Sequence, residues 1–240
     1  MLRFSNVSYR AGGTEILRDL TCEVEQGRTL VLLGRSGSGK TTALKMVNAL
    51  LLPSTGEVLV EGRATTAWNP IELRRRIGYV IQETGLFPHF TVARNVGLVP
   101  RLLGWPEARI GARVKELLAR VGLPPDEFAN RFPRQLSGGQ RQRVGVARAL
   151  AADPPILLFD EPFGALDPVT RHEIRTEFTA LARDLGKTIL FVTHDIHEAL
   201  ELGDHIGLLL HGRLEELLPA SEFTKARSAE ARAFLASLSD

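Results

Sequence analysis

The segment GRSGSGKTT, residues 34–42, constrains this chain more than any other feature of its sequence. It fits the phosphate-loop pattern G-x-x-x-x-G-K-[ST], with Gly34, Gly39, Lys40 and Thr41 at the defined positions. The apolar run 30–33 precedes it and a helix-like stretch follows, which is the strand, loop and helix order that the pattern requires. A chance match in a glycine-containing turn would lack this context. The segment therefore predicts a site for the phosphates of a nucleoside triphosphate.

The residue types of this loop explain the predicted chemistry. Glycines let backbone N–H groups surround phosphate oxygens, and the following helix points its positive end toward them. Lys40 is expected to reach the β- and γ-phosphates of ATP, and the Thr41 hydroxyl is expected to ligate Mg²⁺. The predicted nucleotide-binding residues of the loop are Gly34, Arg35, Ser36, Gly37, Ser38, Gly39, Lys40, Thr41 and Thr42.

A second glycine motif, LSGGQ, occupies residues 136–140. Ser137 and Gln140 form the capping-box pattern that opens a helix, whose expected apolar face is Val144, Ala147, Leu150 and Ala151. Capping does not explain Gly138 and Gly139, because glycine destabilises a first helical turn unless another group must approach the backbone. A phosphate that docks on the Ser137 hydroxyl and bare N–H groups is such a group. We therefore predict nucleotide contacts at Ser137, Gly138, Gly139 and Gln140.

Two carboxylates follow the apolar run 156–159, which is typical of a parallel strand buried on both faces. The carboxyl ends of such strands border the ligand crevice of doubly wound folds. Asp160 is expected to hold Mg²⁺, usually through water, and Glu161 to orient or deprotonate the attacking water. The alternative is an acidic pair in an ordinary surface turn, which the two glycine motifs upstream disfavour.

In this order, the motifs resemble those of the nucleotide-binding subunit of ATP-binding cassette (ABC) transporters, along essentially the whole chain. The resemblance implies that Tyr9 stacks on adenine and that Gln82 senses Mg²⁺ and the membrane partner. It also implies that Asp167, in the segment Ala165-Leu166-Asp167, signals between two nucleotide sites, and that His194 hydrogen-bonds the γ-phosphate. The implied catalytic residues are Glu161, His194 and Gln82, and the implied metal ligands are Thr41, Gln82 and Asp160.

Each of these added residues also has a structural interpretation. Tyr9 fits a half-buried aromatic residue of a strand, and Asp167 before Pro168 fits an N-cap with proline at the first helical position. His194 and His197 have a spacing that would suit a metal pair, but no cysteine accompanies them, and we expect no metal there. The remaining histidines are expected at the surface or at strand ends: His89, His172, His205 and His211.

The pattern along the chain predicts a single α/β domain. We expect a P-loop NTPase of the ABC cassette type, with a parallel-sheet core, an N-terminal antiparallel β-subdomain and an inserted α-helical subdomain. The core and β-subdomain are expected at 1–82 and 154–220, with a hairpin at 11–14, and the helical subdomain at 83–153. In the latter, Pro106 opens a helix with the apolar face Ile110, Val114, Leu117, Leu118 and Val121. The tail, 221–240, is expected to form one amphipathic helix carrying Phe223, Phe234, Leu235 and Leu238.

Composition limits the partners and the compartment. The formal net charge of +2 is too small to imply nucleic acid or a lipid surface as an electrostatic partner. The single cysteine, Cys22, alternates with Leu20 and Val24 as a core residue would, and the lack of an intrachain disulfide favours the cytosol. No stretch approaches the about 20 apolar residues of a membrane span, and residues 1–10 lack a secretory core. Any membrane association must therefore come through another protein, and the resemblance implies a place on the cytoplasmic face of the membrane.

Two classes of function fit the motifs. A soluble cassette protein that works on DNA or ribosomes shares the ATP site, but one compact cassette without a heptad run or basic tract favours a transporter motor. The stretches 85–96, 99–105 and 143–171 resemble importers of quaternary ammonium osmoprotectants such as glycine betaine, choline and carnitine. An importer of methionine, phospholipid or another small solute is the alternative. Many members of the osmoprotectant group carry paired regulatory modules after the cassette. The sequence is compatible with a natural protein that ends at Asp240 and with a longer one that continues into such modules.

The resemblance also implies an assembly. Two copies of the chain would meet head to tail, so that Ser137 and Gly139 of one copy cover the ATP that Lys40 of the other copy binds. A transmembrane permease would dock on the apolar residues that follow Gln82, and an extracytoplasmic solute-binding protein would act indirectly, with no role for nucleic acid. The alternative for these apolar residues is packing inside the helical subdomain; they are Leu86, Phe87 and Phe90.

Overall fold

The computed structural model describes residues 1–82, 85–164 and 166–238. The chain divides into two compact units, which we call the first unit (Met1–Arg74 and Gly186–Asp240) and the second unit (Arg75–Leu185). The helical subdomain predicted at 83–153 falls within the second unit, and its boundaries and those of the other predicted parts stay a prediction.

The strands of the described residues are β1 (Leu2–Ala11), β2 (Thr14–Val24), β3 (Thr29–Leu33), β4 (Thr55–Val60), β5 (Arg63–Ala64), β6 (Ile77–Val80), β7 (Ile156–Asp160), β8 (Thr188–Thr193), β9 (His205–Leu210) and β10 (Arg213–Pro219). Their helices are α1 (Lys40–Val47), α2 (Pro70–Arg75), α3 (Val92–Val96), α4 (Leu98–Leu102), α5 (Glu107–Arg120), α6 (Pro125–Phe128), α7 (Gly138–Leu150), α8 (Pro168–Leu185), α9 (Ile196–Leu202) and α10 (Ala229–Ala236). Short 3₁₀ turns lie at Thr65–Ala67, Pro133–Gln135 and Ala220–Lys225. The fold is α/β, as predicted. Within these described ranges, no helix combines the length and the apolar character needed to cross a membrane.

An antiparallel sheet with the strand order β2-β1-β4-β5 forms one part of the first unit. A two-glycine turn joins β1 to β2, with Gly12 at φ 56° and Gly13 at φ 79°, which confirms the predicted hairpin. Alternate residues of β2 are buried, among them Leu20, Cys22 and Val24, so the cysteine is a core residue as expected.

A second sheet of the first unit carries the phosphate loop. Strand β3 is parallel to both β8 and β9, and β10 returns antiparallel to β9. Leu33 pairs with Thr193, so β3 and β8 end at the same edge of the sheet. Every residue of β8 is buried, which explains why these strands are apolar runs without alternation.

The second unit packs helices around the parallel pair β6 and β7, in which Val80 pairs with Phe159. The apolar faces predicted for α5 and α7 are buried. Phe178 of α8 lies between two other aromatic residues, with its ring centroid 4.5 Å from that of Phe159 and 5.9 Å from that of Phe163. These contacts tie α8 to strand β7 and to the turn that follows it.

The tail, predicted as one helix over 221–240, forms two short helices within its described residues. The 3₁₀ turn Ala220–Lys225 buries Phe223 completely, and α10 begins only after Ser228. Glu216 Oε1 accepts hydrogen bonds from the backbone N–H groups of Arg227 and Ser228, at 2.8 and 2.6 Å, which holds the chain between the two helices. The Ser228 hydroxyl then accepts the N–H of Ala231 and caps α10.

Candidate functional site

The phosphate loop, residues 34–39, connects β3 to α1 in the first unit, so the predicted strand, loop and helix order is confirmed. Gly39 has φ 100°, a left-handed conformation that disfavours any residue with a side chain. A Cβ at this position would also lie 2.7 Å from Cδ2 of Leu17 and 3.0 Å from the carbonyl oxygen of Ile16. Strand β2 therefore packs directly against the loop and requires glycine there.

The loop presents donors that suit an anion. Lys40 is 4% exposed, and its Nζ donates to the carbonyl oxygens of Gly34 and Arg35 at 2.8 and 2.9 Å. The Ser38 hydroxyl is buried and finds no hydrogen-bond partner within the described part of the chain. Within the same ranges, the N-cap residue Gly39 supplies no capping side chain, and no acidic residue occupies the first turn of α1. A buried cation, a buried hydroxyl and a helix N-terminus together suit phosphate oxygens.

The other predicted residues of the loop lie at its surface. Arg35, Ser36 and Gly37 are exposed, while Thr41 and Thr42 are partly exposed in the first turn of α1. Arg35 pairs with Glu230 of α10, with Nε and Oε1 2.6 Å apart, so the tail contacts the phosphate loop. No sequence pattern predicts this pair, because the two residues are far apart in the chain.

His194 lies exposed directly after β8, at the edge of the sheet from which the phosphate loop also leaves. A buried network fixes this turn. The Thr193 hydroxyl donates to Glu198 Oε2 at 2.5 Å and accepts the N–H of Asp195 at 2.9 Å. Asp195 in turn caps α9 through the N–H of His197. Sequence reasoning missed Glu198, although an acidic residue in the first turn of a capped helix was the available signal.

Tyr9 lies half-buried on β1, opposite Leu17 of β2. It therefore belongs to the first unit, together with the phosphate loop and His194. The described residues contain no group of three or more His, Cys, Asp or Glu side chains placed to hold a metal ion. The predicted surface histidines His89, His172, His205 and His211 are all exposed.

Asp160 is the last residue of β7 in the second unit and is only 6% exposed. The hydroxyl of Tyr79 on β6 donates a hydrogen bond to Asp160 Oδ2 at 3.2 Å. Burial and the negative charge of Asp160 raise the pKa of Tyr79 well above its usual value, so the hydroxyl stays protonated and acts as the donor. The sequence analysis did not identify Tyr79.

Glu161 follows with φ 45°, in the left-handed region that non-glycine residues rarely adopt. A Cβ built on Gly164 would lie 4.0 Å from Glu161 Oε2 and 3.9 Å from Gln82 Nε2. The carboxylate and the amide therefore converge on Gly164, at the edge where β6 and β7 both end. The structure thus brings together two of the three predicted catalytic residues within the second unit.

The LSGGQ segment opens α7 with the predicted capping box. Ser137 Oγ accepts the N–H of Gln140 at 3.2 Å, and Gln140 Oε1 accepts the N–H of Ser137 at 2.9 Å. Gly139 is buried, and a Cβ there would lie 2.8 Å from Thr170 Cγ2 and 2.9 Å from Ile174 Cδ1. The packing of α8 against α7 therefore explains this glycine without any ligand. Gly138 is exposed, so another molecule can approach the backbone at this residue.

Asp167 caps α8, since its Oδ1 accepts the N–H of Thr170 at 3.0 Å. The structural interpretation of Asp167 is thus confirmed. Ala165 of the same predicted signalling segment lies outside the described residues.

An aromatic cluster follows Gln82 in the second unit. The ring centroids of Phe87 and Phe90 are 5.2 Å apart, His89 packs edge-on against Phe90 at 4.6 Å, and the Arg94 guanidinium lies 3.9 Å from the centre of the Phe90 ring. Asn95 is fully buried, and its amide hydrogen-bonds the backbone of Phe87 and Phe90. Phe87 nevertheless stays 41% exposed, so the loop holds an apolar ring at the surface.

Comparison with known proteins also indicates a nucleotide-binding cassette. Residues 17–164 match the family model described as ABC transporter. The glycine betaine/carnitine/choline transport ATP-binding protein OpuCA of Bacillus subtilis (strain 168) is 48% identical over 235 residues, which cover 94% of this chain and 61% of that protein. The glycine betaine uptake system ATP-binding protein YehX of Escherichia coli (strain K12) is 52% identical over 214 residues, covering 89% and 69%. This chain thus spans less than two thirds of the length of OpuCA.

Among solved structures, the chain is similar to the ATP-binding cassette MJ0796, which forms a dimer bound to ADP and Pi in a post-hydrolysis state. The TM-score is 0.80 at 36% identity, over 92% of this chain and 99% of that one. Neighbours of this kind show that the α/β fold is that of an ABC ATPase cassette.

Proposed function

Because the chain belongs to the ABC transporter family, we propose that it is the ATP-hydrolysing subunit that powers import of a small solute through a separate membrane permease. The phosphate loop carries this proposal. Three features lie on this one loop or where it enters α1: a buried lysine, a buried hydroxyl without a partner among the described residues, and a first helical turn without an acidic residue. Donors of this kind, gathered on one loop, suit the oxygens of a polyphosphate.

The donor set also fits Mg²⁺. This ion takes oxygen ligands and binds nucleotide sites through one or two protein groups together with phosphates. We assign it to the Thr41 hydroxyl, the Asp160 carboxylate and the Gln82 side chain, all of which offer oxygen. When bound, Mg²⁺ neutralises charge on the phosphates.

Each remaining residue has a part of its own in the proposed reaction. Lys40 exchanges its two carbonyl partners for β- and γ-phosphate oxygens. Glu161 accepts a proton from the attacking water, and His194 hydrogen-bonds the γ-phosphate. Tyr9 stacks on adenine. The remaining loop residues, Gly34, Arg35, Ser36, Gly37, Ser38, Gly39 and Thr42, surround the phosphates.

The proposed working form is a head-to-tail pair of chains. Ser137, Gly138, Gly139 and Gln140 of one copy cover the ATP of the other, and Asp167 links the two sites. Of these, Gly138 is the exposed glycine through which a phosphate can approach the start of α7. The dimer of MJ0796 with ADP and Pi supports this assembly. Because a two-fold pair presents the same surfaces twice, one chain type suffices for both sites.

We place the permease contact at Leu86 and at the aromatic cluster of Phe87, His89 and Phe90. The buried amide of Asn95 holds the backbone of this loop, so the exposed ring of Phe87 is presented at little cost in conformational entropy. A permease bound there keeps the chain at the cytoplasmic face of the membrane.

The solute is a quaternary ammonium osmoprotectant. Support comes from relatives named for glycine betaine, carnitine and choline transport. In the proposed roles this chain contacts only the nucleotide and the permease. A solute-binding protein outside the membrane therefore selects the solute.

Substitution of Glu161 tests the ATPase. E161Q keeps the size of the side chain but removes the base, so the variant should bind ATP, pair into dimers with MgATP and hydrolyse it at least about 100-fold more slowly. K40A should instead weaken ATP binding itself, because the phosphates lose their cation. E173Q makes the same change as E161Q on the exposed face of α8 and should hydrolyse ATP normally. Hydrolysis by E161Q at the wild-type rate would contradict the role given to Glu161.

A reconstituted complex tests the partner and the solute. Co-expressed with a permease and a solute-binding protein encoded beside it, the chain should hydrolyse ATP faster when glycine betaine, choline or carnitine is present. F87E should release the chain from the permease, whereas L217E, which alters a residue of similar exposure in the first unit (40% against 41%), should not. Stimulation by methionine or a phospholipid carrier alone would transfer the solute assignment to those importers.

A further inference from the structure

Tyr79 and Asp160 lie on neighbouring parallel strands of the second unit. In the register of these strands, Tyr79 pairs with Leu158, and Asp160 comes two residues further along β7. Residues two apart on a strand share a face of the sheet, so the tyrosine ring and the carboxylate lie on the same side. The hydroxyl reaches across this diagonal to Asp160 Oδ2 at 3.2 Å.

The burial of Asp160 and the rigidity of Tyr79 both favour this hydrogen bond. Asp160 is 6% exposed, and a carboxylate so far from solvent requires donors to offset its lost hydration. A tyrosine is a rigid donor, because two side-chain torsions fix the ring and the ring itself is packed on a strand. The hydroxyl of Tyr79 does not replace Asp160 as a metal ligand, since a protonated hydroxyl competes poorly with carboxylate oxygen for Mg²⁺.

We propose that Tyr79 is a positioning residue, whose hydroxyl holds one oxygen of Asp160 so that the other oxygen is directed to Mg²⁺. The inference rests on the proposed function, in which Asp160 serves the metal. Carboxylates that serve metals are commonly oriented by such outer hydrogen bonds, and loss of one typically costs about 10- to 100-fold in metal affinity. A Tyr79 that only filled space would have no such effect on the metal.

The variant Y79F removes one oxygen atom and keeps the ring. We expect the Mn²⁺ concentration for half-saturation, followed by electron paramagnetic resonance with a non-hydrolysable ATP analogue, to rise about ten-fold. The Mg²⁺ requirement of hydrolysis should rise in parallel, while ATP affinity in EDTA stays within about two-fold of wild type. T179V serves as the matched control, because it also removes one hydroxyl that donates a hydrogen bond, from Thr179 to the carbonyl of Arg175 within α8.

The outcomes are separable. Unchanged Mn²⁺ half-saturation in Y79F, with a metal-dependent wild type, would overturn the positioning role and leave the proposed ATPase intact. An equal loss of ATP affinity with and without metal would overturn it too, because it would show a general disturbance of the unit. A wild-type chain whose nucleotide binding ignores divalent metal would refute the proposed metal site and this inference with it. If Y79F melted without a cooperative transition, Y79M would be measured in the same assays.

Discussion

Gly138 and Gly139 are neighbours in the first turn of α7, and the structure predicts opposite results when each becomes alanine. A Cβ on residue 139 would approach Thr170 Cγ2 and Ile174 Cδ1 to 2.8 and 2.9 Å, closer than packed atoms allow. A Cβ on residue 138 would lie 3.6 Å from Leu166 Cδ2, an ordinary contact at an exposed position. The pair therefore separates packing from helix propensity within one turn.

The magnitudes follow from these distances. Overpacking costs about 1–3 kcal/mol, and the lower half of that range applies to G139A because the Ile174 methyl can move. Alanine in place of glycine stabilises a helix by up to about 1 kcal/mol, an effect that G138A receives without a clash. Since both variants gain this propensity, the clash sets the difference, and we expect G139A to be about 1–2 kcal/mol less stable than G138A. In a chain of this size that difference corresponds to roughly 2–8 °C in the melting midpoint.

The assay is thermal and urea denaturation of the nucleotide-free chain, followed by circular dichroism. Without nucleotide, any effect on ATP contacts is silent and only packing is measured. The double variant G139A/I174V should recover part of the loss, because it removes one of the two methyl groups that the added atom would approach. Equal midpoints for the two single variants, or a lower midpoint for G138A, would refute the account of Gly139 as a packing residue.

Three further results are expected. F223A should lower the free energy of unfolding by about 3 kcal/mol, since Phe223 is fully buried, and the partly exposed Phe234 should tolerate alanine with a smaller loss in urea titrations. Burial raises the pKa of the Cys22 thiol to about 12. At pH 8 a disulfide reagent should therefore modify the native thiol roughly a thousand-fold more slowly than the urea-unfolded one. The contribution of this thiol to the free energy of unfolding is complete below about pH 9 and is lost as the pH rises toward 12. E198A should cost about 2 kcal/mol in the same titrations because it deprives the Thr193 hydroxyl of its acceptor, and E198Q should restore most of that loss.

Local patterns were sufficient for the elements that carry the motifs. The apolar run 30–33, the capping box of Ser137 and Gln140, and the apolar face of α5 each depend on residues within a few positions of one another, and each is confirmed. The family resemblance is likewise confirmed by the relatives. The assigned roles of individual site residues stay predictions.

Contacts between distant parts of the chain were not predictable. The hydrogen bond from Tyr79 to Asp160 depends on the register of two strands that lie far apart in sequence. The tail was predicted as one helix because its apolar residues have helical spacing, but Glu216 of β10 binds the backbone at 227 and 228 and interrupts it. The packing reason for Gly139 was missed for the same cause, since its partners belong to α8.

The left-handed backbone of Glu161 lies two residues before a packed aromatic side chain. A non-glycine residue in this conformation costs about 1–2 kcal/mol, so neighbouring contacts must hold it there. Two residues later, Phe163 is fully buried beside Phe178 of α8, which anchors the turn that follows Glu161. If this aromatic contact loosens, the backbone of Glu161 can relax to an extended conformation and turn its carboxylate to another side of the strand end. Hydrolysis should therefore respond to the shape of a hydrophobic side chain that never meets ATP, and a smaller residue at 178 should slow the chemical step before it noticeably unfolds the chain.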